Sequence, residues 1–282
     1  MRARTQLIAP LALAIVLSTA CGESGSSGTG GGADASGSAA GDNCAPVAGD
    51  QLVVLEDDKE LQNADNIIPA VNAAAASPAL LDALNAVSQV LTTEELIEMN
   101  AAVDVERQSA EDVAAAYVAD KGLDSGVSGG SGPVVVGAAD FTESQVLGTL
   151  YADVLTAAGF QASVQTVGNR ELYLPALQRG EIQAFPEYLA TVTDIINKQV
   201  NGADAEPVAS GDVDATVDAL TPLAERTGLV FGEPAQAADQ NAFAVTREFA
   251  DQVGVSTLSE LADACGDGSL TLGGPGECPE RP

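Results

Sequence analysis

Histidine and tryptophan are absent from the 282 residues, and only 11 lysines and arginines face 41 aspartates and glutamates. The missing histidine removes the commonest general base and the commonest zinc ligand. Any Ser-His-Asp or Cys-His mechanism goes with it. The shortage of cations leaves a net charge of -30, which argues against nucleic acid or an anionic membrane surface as the main partner. Aromatic residues make up only 4%, while apolar residues reach 46%. A core is therefore available, built largely from Ala and Val.

The N-terminus reads as an export signal, residues 1–20. Arg2 and Arg4 form a basic start, and Leu7 to Leu17 is an apolar run too short to span a bilayer. "LSTACG" resembles a bacterial lipobox, with Cys21 as the acylated new N-terminus; the alternative is an ordinary secretory signal. Residues 21–50, rich in Gly and Ser, read as a tether. Three further cysteines remain in an exported chain, where cysteines tend to pair. Cys265 and Cys278 bracket a short strand-like segment and are the expected pair, which leaves Cys44 without a partner.

Beyond the tether, a second glycine-rich tract at 124–133 divides the body. The first part, 51–123, opens on the strand "LVVLEDDK". Three helices follow, started by Ser77-Pro78, by the capping box of Thr92 and Glu95, and by Ser109, with Gly122 closing the last. The second part, 134–227, opens on "PVVVG". A helix capped by Thr142 comes next, then the strand "QASVQTV", the helix "RELYLPALQRG", the strand "EIQAF" and a helix opened by Pro186. This alternation predicts an α/β fold with a parallel sheet covered on both faces. Residues 228–282 add "GLVFG", "NAFAVT", a helix at "TLSELADAC" and the strand "SLTLGG".

In such sheets ligands bind beyond the carboxyl ends of strands, at helix N-termini. Two places fit. The turn Ala139 to Ser144 offers backbone N–H groups, hydroxyls and Phe141, or it is a plain helix cap with Phe141 in the core. "FPEYLAT" places Tyr188 and Thr191 just after a strand, or it is a surface helix start. Glu143 and Glu187 could be imagined as an acid/base pair, but with acids so frequent both are expected on a solvated face.

"VVVGAADFTESQVLGTLYADVLTAAGF", "NRELYLPALQRGEIQAFPEYLAT" and "LVVLEDDK…LTTEELIEMNAAVDVERQSAEDVAAAYVADKGL" together resemble one family. It is the substrate-binding proteins of osmoprotectant ABC transporters, which bind glycine betaine, choline or carnitine. The resemblance runs from Leu52 to the end of the chain. It implies a type II periplasmic-binding-protein fold, two α/β lobes joined by a hinge, with no catalysis, no cofactor and no metal. It implies a membrane permease as partner, which with the lipobox places the chain on the extracytoplasmic face, lipid-anchored. It also implies a circularly permuted order, because the "LVVLEDDK" part is last in typical members. The second lobe, 228–282, is then incomplete. On the permuted reading Leu52–Leu55 lies in the same sheet as Val134–Val136.

For the ligand, the resemblance implies that Tyr188 is one wall of a cation–π cage and Thr191 a nearby polar contact. Phe243, or Asn241 in a shifted register, takes the place of a second tyrosine. Thr142 and Ser144 would donate hydrogen bonds. Arg170 would pair with a ligand carboxylate or form a surface salt bridge. Gln62, Asn63, Asp65 and Asn241 suggest a pocket more polar than is usual in the family. The second reading is a surface interaction or sensory lipoprotein that has lost transport.

Overall fold

Side-chain caps set many of the element boundaries in the computed structural model, which describes residues 44–59, 61–239, 242–266, 270, 271 and 273. After strands β1 (Leu52–Val54) and β2 (Ile67–Asn72) come α1 (Pro78–Ser88), α2 (Thr93–Asp104) and α3 (Ala110–Lys121). Ser77, Thr92 and Ser109 cap them, the Thr92–Glu95 capping box is formed, and Gly122 closes α3 in the left-handed region. Then follow β3 (Pro133–Ala138), α4 (Thr142–Ala157), β4 (Gln161–Thr166), α5 (Arg170–Gln178), β5 (Ala184–Tyr188) and α6 (Leu189–Asn201). The chain continues with α7 (Val213–Thr227), β6 (Leu229–Phe231), β7 (Ala244–Thr246), α8 (Arg247–Val253) and α9 (Leu258–Cys265).

Five strands form the main sheet in the order β4-β3-β5-β2-β6. β3 runs parallel to β4 and β5, and β2 is antiparallel to both of its neighbours. The sheet is therefore mixed, not purely parallel. β2 is buried along its whole length. Alternate residues face opposite sides: Ile67 and Val71 join the core under α1–α4, while Ile68 and Ala70 join the core under α5–α7. Burial on both faces explains why β2 reads as a continuous apolar run without alternation.

Prolines 69 and 186 lie within strands, opposite each other. The flanking bonds, Leu189 N–H to Asn66 O and Asn72 N–H to Gln183 O, put hydrogen-bonded pairs at the even positions of β2. The two prolines thus meet at a non-hydrogen-bonded position, where neither is asked for an N–H toward the other. Pro186 consequently does not open a helix; β5 runs through it and α6 begins at Leu189.

A second, smaller body is built around a two-stranded sheet of β1 and β7. Leu52 pairs with Thr246 and Val54 with Ala244. Leu55, Phe249, Val255 and Leu261 form its core with Cys44 and Cys265. Leu52–Leu55 therefore does not share a sheet with Val134–Val136, and the permuted order fails in the form that rests on that pairing. It is β2 that crosses into the main sheet. The boundary at 228 also moves, because β6 belongs to the main sheet.

Cys44 is bonded to Cys265, with Cα atoms 5.7 Å apart and a sequence separation of 221. This corrects the expected Cys265–Cys278 pair. Cys44 lies beside α9 because β1, just after it, docks on β7, just before α8. Cys278, Cys21 and half of the "SLTLGG" segment lie outside the described residues.

Candidate functional site

β3, β4 and β5 share one direction, so their carboxyl ends lie along one edge, where α4, α5 and α6 begin. β2 runs the other way, which brings the loop before it, with Asp65, to the same edge. A cleft of about 540 Å³ opens there. The β3–α4 turn contributes Ala139, Asp140 and Phe141; the β4–α5 turn contributes Gly168, Asn169, Arg170 and, one turn on, Tyr173. Tyr188 and Thr191 come from the β5–α6 junction, and Asp65 and Asp239 close the remaining side.

Close packing seats the first turn. Gly148 lies on α4, where an added Cβ would meet the Ala138 Cβ at 3.0 Å. The helix therefore lies directly on the end of β3. Ser144 is 1% exposed, and its Oγ accepts the Ala139 N–H at 2.8 Å. It closes the turn internally and is not among the residues that line the cleft. Thr142 is the first residue of α4, not its cap, and its hydroxyl donates to Asp104 at 2.6 Å. The structure thus assigns both hydroxyls to the scaffold.

The aromatic walls differ in availability. The Tyr173 ring stacks on Phe185 with centroids 3.7 Å apart and 13° between planes, so that face is already used. Phe141 is 46% exposed and free to meet a ligand. Tyr188 is nearly buried and donates its hydroxyl to Glu143 Oε1 at 2.8 Å. Glu143 also accepts from Asn100 Nδ2 at 2.7 Å, which fixes the carboxylate at the hydroxyl end of the ring. Burial pushes the Glu143 carboxyl up, while the Tyr188 and Asn100 hydrogen bonds hold it down.

The charged groups form two sets. Asp65 caps α6 from outside: its oxygens accept the Thr191 N–H at 2.8 Å and the Thr191 hydroxyl at 2.7 Å. Asp239 sits nearby, its carboxyl raised first by burial and then by repulsion from Asp65. Arg170 donates to Glu187 through Nε at 3.4 Å and Nη2 at 3.1 Å. Glu187 is 0% exposed and takes a further donor, the Tyr188 N–H, at 3.1 Å. Glu187 is therefore an interior group and Glu143 a partly buried one, which corrects their placement on a solvated face. Such an acid survives inside because it is paired and hydrogen-bonded.

Of the residues expected at the site, Tyr188, Thr191 and Arg170 line the cleft together; Thr142, Ser144 and Phe243 do not, and Asn241 lies outside the described residues. Asp140 joins it from inside the expected Ala139–Ser144 turn, while Tyr173 and Asp239 join it unforeseen. Tyr173 was within reach, one helical turn beyond Arg170. Asp239 carried no local signal. Among the described residues, no three His, Cys, Asp or Glu side chains come together to hold a metal ion, and no helix is long and apolar enough to cross a membrane.

The family model for the substrate-binding domain of ABC-type glycine betaine transport systems matches residues 46–120 and 132–282. The two segments leave out the glycine-rich connection between α3 and β3. No curated protein matches the chain significantly.

Proposed function

The chain belongs to the family of substrate-binding domains of ABC-type glycine betaine transport systems, and from that premise we propose that its cleft captures a small organic cation, a quaternary amine of the betaine, choline or carnitine type, for delivery to the permease. The family has the type II periplasmic-binding fold and serves ABC importers by binding solute outside the cytoplasm; it is a family of binding proteins, not of enzymes. The observation that carries the ligand reading is that two aromatic residues, exposed Phe141 and largely buried Tyr188, line one cleft together with aspartates 65, 140 and 239. A quaternary ammonium has no N–H to donate. It is recognised by aromatic faces and by diffuse negative potential, each aromatic contact contributing about 0.5–2 kcal/mol.

Titration calorimetry of the purified full chain against glycine betaine, choline and carnitine tests this. Saturable heat with at least one, reduced about tenfold or more in affinity by Tyr188→Ala, supports it. No heat with any of the three overturns it. We propose further that Cys21 carries a lipid anchor. Labelling with a radioactive fatty acid in a bacterial host should mark the parent chain and leave Cys21→Ala unmarked; an unlabelled parent removes the anchor.

A further inference from the structure

We propose that Glu187 fixes the charge class of the ligand: by holding Arg170 it leaves the cleft with net attraction for a cation and none for a carboxylate, so the chain selects a carboxylate-free organic ammonium over betaines. This rests on the cleft being the solute site.

Among the described residues that line the cleft, Arg170 is the only cation. Both of its bonds to Glu187 run to a fully buried carboxylate. Glu187 takes hydrogen bonds from Arg170 Nε and Nη2 and from the Tyr188 N–H, and the Tyr173 hydroxyl lies against it as well, so every partner it has can donate to the carboxylate. Arg170 therefore can lend spare N–H groups to a ligand, but its charge is already matched. Releasing it would leave Glu187 buried and unpaired, a change that costs several kcal/mol. A ligand carboxylate would have to share Arg170 with Glu187 and would also face Asp65, Asp140 and Asp239.

The helix ends do not reverse this balance. α4 and α5 begin without a side-chain cap, which leaves partial positive charge at the cleft. Each already has an acid in its first turn, Glu143 in α4 and Glu171 in α5, and Asp140 lies one residue before the Phe141 cap of α4. The third helix end, that of α6, is taken by Asp65.

The test compares choline, glycine betaine and putrescine on the parent chain, on Glu187→Gln and on Asp239→Asn. For the parent, choline or putrescine should bind about tenfold or more tightly than glycine betaine; which of the two wins distinguishes a quaternary from a primary amine. Glu187→Gln should move the choline-to-betaine ratio toward betaine by about tenfold, because Arg170 is then free to meet a carboxylate. If that variant fails to fold, Asp239→Asn carries the test, with choline binding weakened several-fold and betaine binding unchanged or improved. Tighter betaine binding to the parent overturns the inference while leaving the solute-binding reading intact. A ratio unmoved in folded Glu187→Gln overturns it as well. No binding of any amine sinks both.

Discussion

The two bodies of this chain solve the problem of stability differently. The main sheet is covered on both faces, and β2 and β5 are buried at every position. The small body has two three-residue strands and a thin core, and it leaves Leu52 72% and Val54 65% exposed. A sheet so short is not stable alone. Among the described residues its core counts Cys44 and Cys265 as members, and the disulfide between them adds a covalent constraint where apolar burial is small. The lining of the cleft comes from the main body and the connections beside it, so the chemistry sits on the part that packing alone holds rigid.

The sharpest way to break this comparison is to damage the main body at the Arg170–Glu187 ion pair, whose carboxylate is fully buried. Arg170→Ala leaves Glu187 buried without its cation and should cost about 3–5 kcal/mol, read by urea unfolding. The deficit should depend on pH. Burial raises the Glu187 carboxyl, and Arg170 opposes that rise. Without Arg170 the folded-state pKa rises further. A raised carboxyl is fully tolerated below its unfolded value of 4.5 and becomes a liability as pH climbs through the folded value. The variant should therefore lose more at pH 7 than at pH 4. A deficit equal at both would show that Glu187 is not the buried charge responsible.

Next in size is the small body. Replacing Cys44 and Cys265 by serine should cost about 2–4 kcal/mol, confined to that body. Amide exchange should quicken at 52–55 and 244–265 while β3 and β5 keep their protection. Uniform quickening would mean that the two bodies unfold as one and that the contrast between them is only one of size.

The difference between the bodies also tracks what the sequence displayed. Helix starts were legible because a cap is local: Ser77, Thr92 and Ser109 each sit within three residues of the N–H they serve. Pro186 misled because a proline opening a helix and a proline facing another proline across a strand pair look alike until the partner is known. The small body was least legible. Its strand β1 pairs with residues about 190 positions away, and its cysteine pair is set by that docking, not by spacing along the chain. At the site, Tyr188 and Thr191 stood out because a strand end and a helix start coincide there. Asp239 did not, since only the bridge between Asn66 and Ala238 brings it to the cleft.

The smallest expected effect compares one motif in both bodies. Thr92 and Glu95 form a capping box at α2, and Thr257 and Glu260 form one at α9. Glu95 has outside partners as well, Lys121 and the Tyr117 hydroxyl. They tie α2 to α3. The Lys121 contact is the main reason that its carboxyl is held down to about 2. Glutamine keeps a capping box but not a charge. Glu95→Gln should therefore cost about 0.5 kcal/mol at pH 7, with the cost vanishing at acid pH. A lowered carboxyl stabilises above its unfolded value of 4.5, and that contribution fades as pH falls toward about 2. Glu260 takes its hydrogen bonds from Ser256 and Thr257, within its own turn. Glu260→Gln should leave exchange in the main body unchanged at every pH. If Glu95→Gln behaves the same way, the α2–α3 tie contributes nothing beyond its cap, and the two boxes are equivalent despite the different bodies that hold them.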